Sequence, residues 1–253
     1  MLVKNWQLAP SVPPAVLRNY RGISPIVAQV LYNRGVTDPQ EAFVFLTAEG
    51  GTSFDPFKMS DMSKAVGRTR TAILKKQPIA VYGDFDADGA TSTALMVQVL
   101  WQLGAVVRPY IPHRVDEGYG LNNEALLKLA RDGVKLVITV DCGIRSVDEV
   151  TYGQQCGLDI IITDHHSLGP VLPPAYAVLN PKRDTPPVES MLAGVGVAFK
   201  FCEALVKATI KNERKGSALL DAAQSIDLEG LLDLVAIGTI ADLAPMDKLE
   251  NRL

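Results

Sequence analysis

An α/β fold, with a mainly parallel sheet flanked by helices and an N-terminal helical extension, is what this sequence predicts. Two observations carry it. Four apolar runs of strand length alternate with segments of helical period, and glycine stops most of those segments. Strand–helix alternation of this kind implies βαβ units.

Taken in order, the first sixty residues read as short helices. Ser24-Pro25 is an N-cap followed by proline, and PIVAQVLYNR runs from it to Gly35; Asp38-Pro39 repeats the signal before QEAFVFL. The stretch from Ala48 to Phe57, with Gly50-Gly51 and Pro56, reads as a linker, which sets 1–60 apart from a domain over 61–253. A helix is expected over about 61–74. The strands are PIAVYG (78–83), VVRPYI (106–111), KLVITV (135–140) and LDIIIT (158–163), with helices over 92–104, 122–133 and 146–157 between them. From Pro170 onward six prolines, ending with Pro186 and Pro187, predict a surface loop, and helices follow at about 196–211, 216–224 and 228–237. No internal repeat is present.

Composition bounds the function. The chain has 253 residues, 47% of them hydrophobic and 21% charged, which excludes disorder and coiled coil. A chain of this length buries roughly three-quarters of its unfolded surface and needs no staple to fold. Three widely spaced cysteines and no secretory or membrane-spanning segment point to the cytoplasm. The net charge of −3 carries no global nucleic-acid signature, so a nucleic-acid enzyme would bind through a local groove or through bound cations.

Ligands of open parallel sheets bind beyond the carboxyl ends of the strands. The first strand runs into Asp84, Asp86 and Asp88, the third into Asp141, and the fourth into Asp164-His165-His166. Five acids and two of the chain's three histidines thus meet at one edge. Clustered carboxylates repel unless a cation neutralises them. Oxygen donors with one or two imidazoles suit Mn²⁺ or Mg²⁺, and this many acids suit two ions sharing a carboxylate. Asp84-x-Asp86-x-Asp88-Gly89 also copies half of an EF-hand loop, but the twelfth position is Leu95 rather than Glu. A dehalogenase-type nucleophile motif at Asp86 would leave both histidines idle.

GDFDADGATS (83–92), TVDCGI (139–144), TDHH (163–166) and GTIAD (238–242) resemble the four signature segments of the DHH phosphoesterase superfamily. HRVDEGYGLN (113–122) and LAGVGVAFK (192–200) look like its RecJ branch of single-strand-specific DNA exonucleases, a likeness that covers nearly the whole chain. The resemblance implies that Asp141 bridges two Mn²⁺ ions, that Asp86 serves one ion, and that Asp88, His165 and Asp242 serve the other. It implies that His166 lies near the substrate phosphate and that Asp164 orients the imidazoles. Tyr82 stands where many DHH phosphatases have a ligating histidine, and Asp84 or water is expected to replace it. Arg114 is expected on a DNA phosphate, with a surface ion pair to Asp116 or Glu117 as the alternative. Gly194 and Gly196 are expected either to let a helix start approach backbone phosphates or to serve helix packing.

RecJ-like enzymes continue into a second lobe and an oligonucleotide-binding domain, so the chain, ending at Leu253, is expected to be an N-terminal catalytic lobe. The implied activity is 5′→3′ hydrolysis of single-stranded DNA to 5′-mononucleotides, with a single-strand-binding protein or a helicase as partner. Two alternatives stay open: a DHH hydrolase of short oligoribonucleotides, cyclic dinucleotides or pyrophosphate, and a non-catalytic binding scaffold.

Overall fold

Each of the first three helices opens on a proline: α1 (Pro14–Asn19), α2 (Pro25–Asn33) and α3 (Pro39–Thr47). Proline costs nothing there, because its missing N–H would have no intrahelical acceptor. Ser24 Oγ accepts from the Val27 N–H, and Asp38 Oδ1 accepts from the N–H groups of Gln40 and Glu41 at 2.8 and 3.0 Å. The three helices close on Tyr20, Ala28, Leu31, Val36 and Ala42. This computed structural model describes residues 7–47, 54–184 and 191–246. The chain has two compact units, the first within Met1–Ser53 together with Met246–Leu253, the second Phe54–Pro245. Most of the expected linker, including Gly50 and Gly51, lies outside the described residues, as do Pro186 and Pro187. Its end is structured: Pro56 is buried and opens a 3-10 turn over Pro56–Lys58.

The second unit runs α4 (Met62–Leu74), β1 (Ile79–Gly83), α5 (Ala87–Gln102), β2 (Val107–Tyr110), α6 (Asn123–Arg131), β3 (Leu136–Val140), α7 (Val147–Gln155), β4 (Asp159–Thr163), β5 (Ala177–Leu179), α8 (Gly194–Asn212), α9 (Ala218–Ser225) and α10 (Leu232–Ala241). The sheet is parallel throughout, in the order β2-β1-β3-β4-β5. One face is covered by α6 and α7 over a core that includes Tyr82, Leu126, Leu129, Val137, Val150 and Ile160. On the other, α8 is buried along most of its length and packs with α4, α5, α9 and α10.

Register matters most for function. Gly83 pairs with Val140, Val140 with Thr163, and Thr163 with Leu179. Four strands therefore end level, and the next residues, Asp84, Asp141, Asp164 and Asn180, leave the sheet in one row.

Three boundaries differ from expectation. The proline-rich segment after Pro170 contributes β5, whose three residues are all buried; strand-edge pairing with β4 outweighs its turn-rich flanks. Helix α5 begins at Ala87 rather than 92, because Asp86 caps it. The expected 228–237 helix is a 3-10 turn (Glu229–Leu231) followed by α10, which extends to Ala241.

Candidate metal centre

Backbone N–H groups hold most of the acids at the strand edge. Asp84 is buried and accepts from the Phe85 N–H at 2.7 Å. Asp86 Oδ1 accepts from the Gly89 N–H at 2.9 Å as the N-cap of α5, and the residue is otherwise exposed. Asp88, two residues on, points back into the protein. Its Oδ2 accepts from the Gly194 N–H at 2.7 Å and its Oδ1 from the Val195 N–H at 2.8 Å, so the start of α8 is tied to this carboxylate. The positive end of that helix favours the negative charge. Asp141 turns out of β3 with φ +61°, a left-handed conformation that a non-glycine residue adopts at a cost. Thr139 Oγ1, donating to the Cys142 carbonyl at 2.7 Å, and Thr163 Oγ1, donating to the Thr139 carbonyl at 2.7 Å, brace that turn.

The histidines complete the cluster. His165 Nε2 lies 3.2 Å from Asp141 Oδ1, 3.8 Å from Asp88 Oδ2 and 3.9 Å from Asp242 Oδ2. His166 Nδ1 is 2.8 Å from Asp164 Oδ1 and 3.9 Å from Asp141 Oδ1. Asp164, almost fully buried, also accepts from the N–H groups of Ile144, His165 and His166 at 2.9, 2.7 and 3.0 Å. Three of these bonds fall on Oδ1 and one on Oδ2, and together they orient the His166 ring. Donor atoms within 4.8 Å of one another fall into three groups: Asp141, His165 and His166; Asp88, His165 and Asp242; Asp84, Asp86 and Asp141. Asp141 belongs to two of them.

Burial, and then the neighbouring Asp88, Asp86 and Asp164 carboxylates, push Asp141 up to about 10. Asp84 and Asp88 are raised too, chiefly by burial. Burial and the charge of His166 lower His165, which makes it a neutral donor. The hydrogen bond to Asp164 raises His166 to about 9 against the pull of burial. Asp164 itself is lowered, because the bonds from His166 and Ile144 outweigh its burial.

Asp141 Oδ1 and His165 Nε2 are both buried and have no hydrogen-bond partner among the described residues. An orphaned carboxylate oxygen facing an orphaned imidazole nitrogen across 3.2 Å is a costly arrangement without a third body between them. Hard oxygen donors with one or two imidazoles fit a divalent cation there.

Other residues of the motifs and their neighbours find different surroundings. Gly194 and Gly196 are buried, and the Gly194 N–H is spent on Asp88 rather than free for a phosphate. A Cβ on Gly194 would stand 2.6 Å from Asp141 Oδ1, and one on Gly196 would stand 3.0 Å from Leu192. The first glycine makes room for Asp141; the second serves packing. Arg114 is exposed, with its guanidinium 4.9 Å from the Phe85 ring centroid at the rim of the cluster, and no ion pair to Asp116 or Glu117 forms. His113, not Arg114, pairs with Asp116, at 2.8 Å. Tyr82 points away from the acids into the α6–α7 core. Cys142 is buried with its thiol pushed well up, which suits packing and not nucleophilic attack. Asp233 is exposed and touches nothing in the cluster.

Two contributors escape a motif reading. Asn180, the residue after β5, donates through Nδ2 to the His166 carbonyl at 2.9 Å. Gly238 lets α10 approach, since a Cβ there would lie 2.9 Å from Asp88 Oδ1. The strand-like AVLN at 177–180 is the signal that could have revealed Asn180.

Comparison with known proteins fits this geometry. The model of the DHH family, N-terminal domain, matches residues 78–239. The chain is 44% identical over 233 residues to the single-stranded-DNA-specific exonuclease RecJ of Bacillus subtilis, covering 91% of this chain and 27% of that protein. The corresponding protein of Escherichia coli is 37% identical, with 91% and 39% covered. The crystal structure of RecJ in complex with Mn²⁺ from Thermus thermophilus superposes with a TM-score of 0.70 at 29% identity, over 94% of this chain and 32% of that one. The chain thus spans between about a quarter and two-fifths of the length of these relatives. With its signature acids and histidines gathered at the strand edge and the family match spanning the sheet and its helices, this chain belongs to the DHH family.

Proposed function

We propose that this chain carries the catalytic centre of a metal-dependent phosphodiesterase, a single-stranded-DNA-specific exonuclease of RecJ type that works 5′→3′ and releases 5′-mononucleotides. The observation that carries the reading is the facing pair of orphaned donors, Asp141 Oδ1 and His165 Nε2, at the centre of the acid cluster. The substrate comes from the relatives' names and the RecJ-like segments, and the polarity from the resemblance of those segments alone.

Mn²⁺ is the preferred ion and Mg²⁺ a weaker substitute; bound as a pair, they would supply Lewis acidity and a nucleophile at neutral pH. Asp84, Asp86 and Asp141 would hold one ion, and Asp88, His165 and Asp242 the other, with Asp141 shared. The remaining roles belong to the chain. Asp164 fixes His166 through Nδ1, which leaves Nε2 of a half-exposed imidazole to face a phosphate oxygen. Held cationic by Asp164, that ring stabilises the charge that grows on phosphorus oxygens. Arg114 at the rim would take a backbone phosphate. No helix among the described residues is long and apolar enough to cross a membrane. We place the protein in the reducing cytoplasm because its three cysteines are free, and a single-strand-binding protein or a helicase is the partner class the activity implies.

The test is product analysis on single strands labelled at the 5′ or the 3′ end, with Mn²⁺ present. Mononucleotides should appear first from the 5′ label, and Asp141→Ala should abolish them. Hydrolysis of dinucleotides or pyrophosphate alone would favour the small-substrate reading, and hydrolysis that resists EDTA would remove the metal reading.

A further inference from the structure

The loop 113–120 lies beside the acid cluster and carries two exposed side chains toward it, Arg114 and Tyr119. Arg114 stacks over Phe85, while Tyr119 meets both Phe85 and His166 edge-on with ring centroids 6.3 Å apart. These contacts are few, and the backbone is freed twice. Gly118 and Gly120 sit at φ +78° and +79°, with open space where a Cβ would be, so glycine is there for its conformation and not for packing. A loop of this kind would wander unless something held it.

It is held from beneath. Glu117 accepts from the Tyr110 hydroxyl at the end of β2 with one oxygen, and from the His113 N–H at 2.7 Å with the other. Its own N–H donates to the His113 carbonyl at 2.8 Å. Tyr110 stacks on Tyr82 with centroids 5.0 Å apart, the two being register partners across β1 and β2. The Tyr82 hydroxyl is buried; it donates to the Gly120 carbonyl at 2.9 Å and accepts from Asn122 Nδ2 at 3.1 Å. Asn122 in turn caps α6 through the Ala125 N–H at 2.7 Å. Both ends of the loop are therefore fastened to the two strands that border the site, through groups that touch no donor of the metal cluster.

We propose that Tyr82, Tyr110 and Glu117 form a clamp that fixes the 113–120 loop, so that Glu117 is a positioning residue for strand binding, acting through Arg114 and Tyr119. The proposal rests on the reading above that the cluster acts on a nucleic-acid strand. A long strand must be gripped on its backbone and bases beyond the reacting phosphate, whereas a small diester needs only the cluster; the clamp serves the first and is indifferent to the second.

Glu117→Ala, Glu117→Gln and Tyr110→Phe in the full chain test this. Amide exchange, Mn²⁺-dependent cleavage of a single-stranded oligonucleotide, and hydrolysis of bis(p-nitrophenyl) phosphate are compared with the parent. Glu117→Ala should speed exchange across 113–122 and raise KM for the oligonucleotide about tenfold, the loss expected for bonds to a charged group. Hydrolysis of the small diester and the Mn²⁺-induced rise in Tm should stay at parent values. Glu117→Gln, which keeps one good acceptor, should recover part of the KM, and Tyr110→Phe should move in the same direction as Glu117→Ala. Unchanged exchange with unchanged KM overturns the clamp. An equal fall in kcat on both substrates also overturns it, because it would place Glu117 in the metal machinery. A parent chain that cleaves the diester but no single strand defeats the substrate reading instead; the exchange of 113–122 in Glu117→Ala then decides the clamp alone.

Discussion

Asp141 concentrates the chemistry of the site into one side chain. Its backbone is left-handed, its carboxylate is buried, and its orphaned oxygen faces an orphaned imidazole. Without a cation, burial and three neighbouring acids keep a proton on it up to about pH 10, against 3.8 when unfolded, and Asp164 keeps one on His166 up to about 9, against 6.5. The metal-free folded chain thus binds protons the unfolded chain has already released. This stabilisation is fully present below pH 3.8 and is lost as pH rises from 3.8 towards 10, with His166 adding to the loss between 6.5 and about 9. We therefore expect the metal-free Tm to fall over that range, and Mn²⁺, which competes with those protons, to bind more tightly as pH rises. In Asp141→Asn the decline should be shallower and Mn²⁺ affinity should drop by more than about 100-fold, since even a partner behind a ligand is worth roughly 10–100-fold. Thermal scans at several pH values with and without Mn²⁺ read both; a parent-like Mn²⁺ response in Asp141→Asn would refute the shared-ligand role.

At the scale of elements, the site depends on how strands end and helices begin. β1, β3 and β4 were legible because their apolar runs are unbroken and their last residues lead directly into acids or histidines. β5 was not, because three apolar residues between prolines carry the local signal of a loop, and only pairing with β4 makes them a strand. With β5 went Asn180, whose buried amide ties the strand to the His166 carbonyl and, through Oδ1, accepts from the Lys182 N–H at 2.9 Å. The helix starts were misjudged for a related reason. Asp86 and Asp88 read as ligands, yet the same carboxylates cap α5 and grip α8, and no sequence pattern shows a side chain doing both. Asn180→Ala leaves two backbone groups unpaired and should cost about 1–3 kcal/mol, visible as a lower denaturation midpoint. Asn180→Asp, which keeps the acceptor and loses the donor, should fall between. A cost below about 0.5 kcal/mol for the alanine variant would show that β5 does not steady the histidine loop.

For the whole molecule, every candidate ligand lies within the Phe54–Pro245 unit. An ion that binds only the native cluster stabilises by mass action, about 2.7 kcal/mol at a hundred times Kd. In a chain of this size that corresponds to a rise in Tm of roughly 5–10 °C, reversed by chelation. Absence of any metal-dependent rise would contradict a preformed centre. The level strand ends carry a further, kinetic consequence. Asp84, Asp141, Asp164 and Asp242 come together only through parallel strands paired across helical crossovers and through the docking of α8 and α10, so the cluster needs long-range contacts that form late. An ion has nothing to hold early on that path. Mn²⁺ should accordingly leave the refolding rate almost untouched and act as a brake on unfolding.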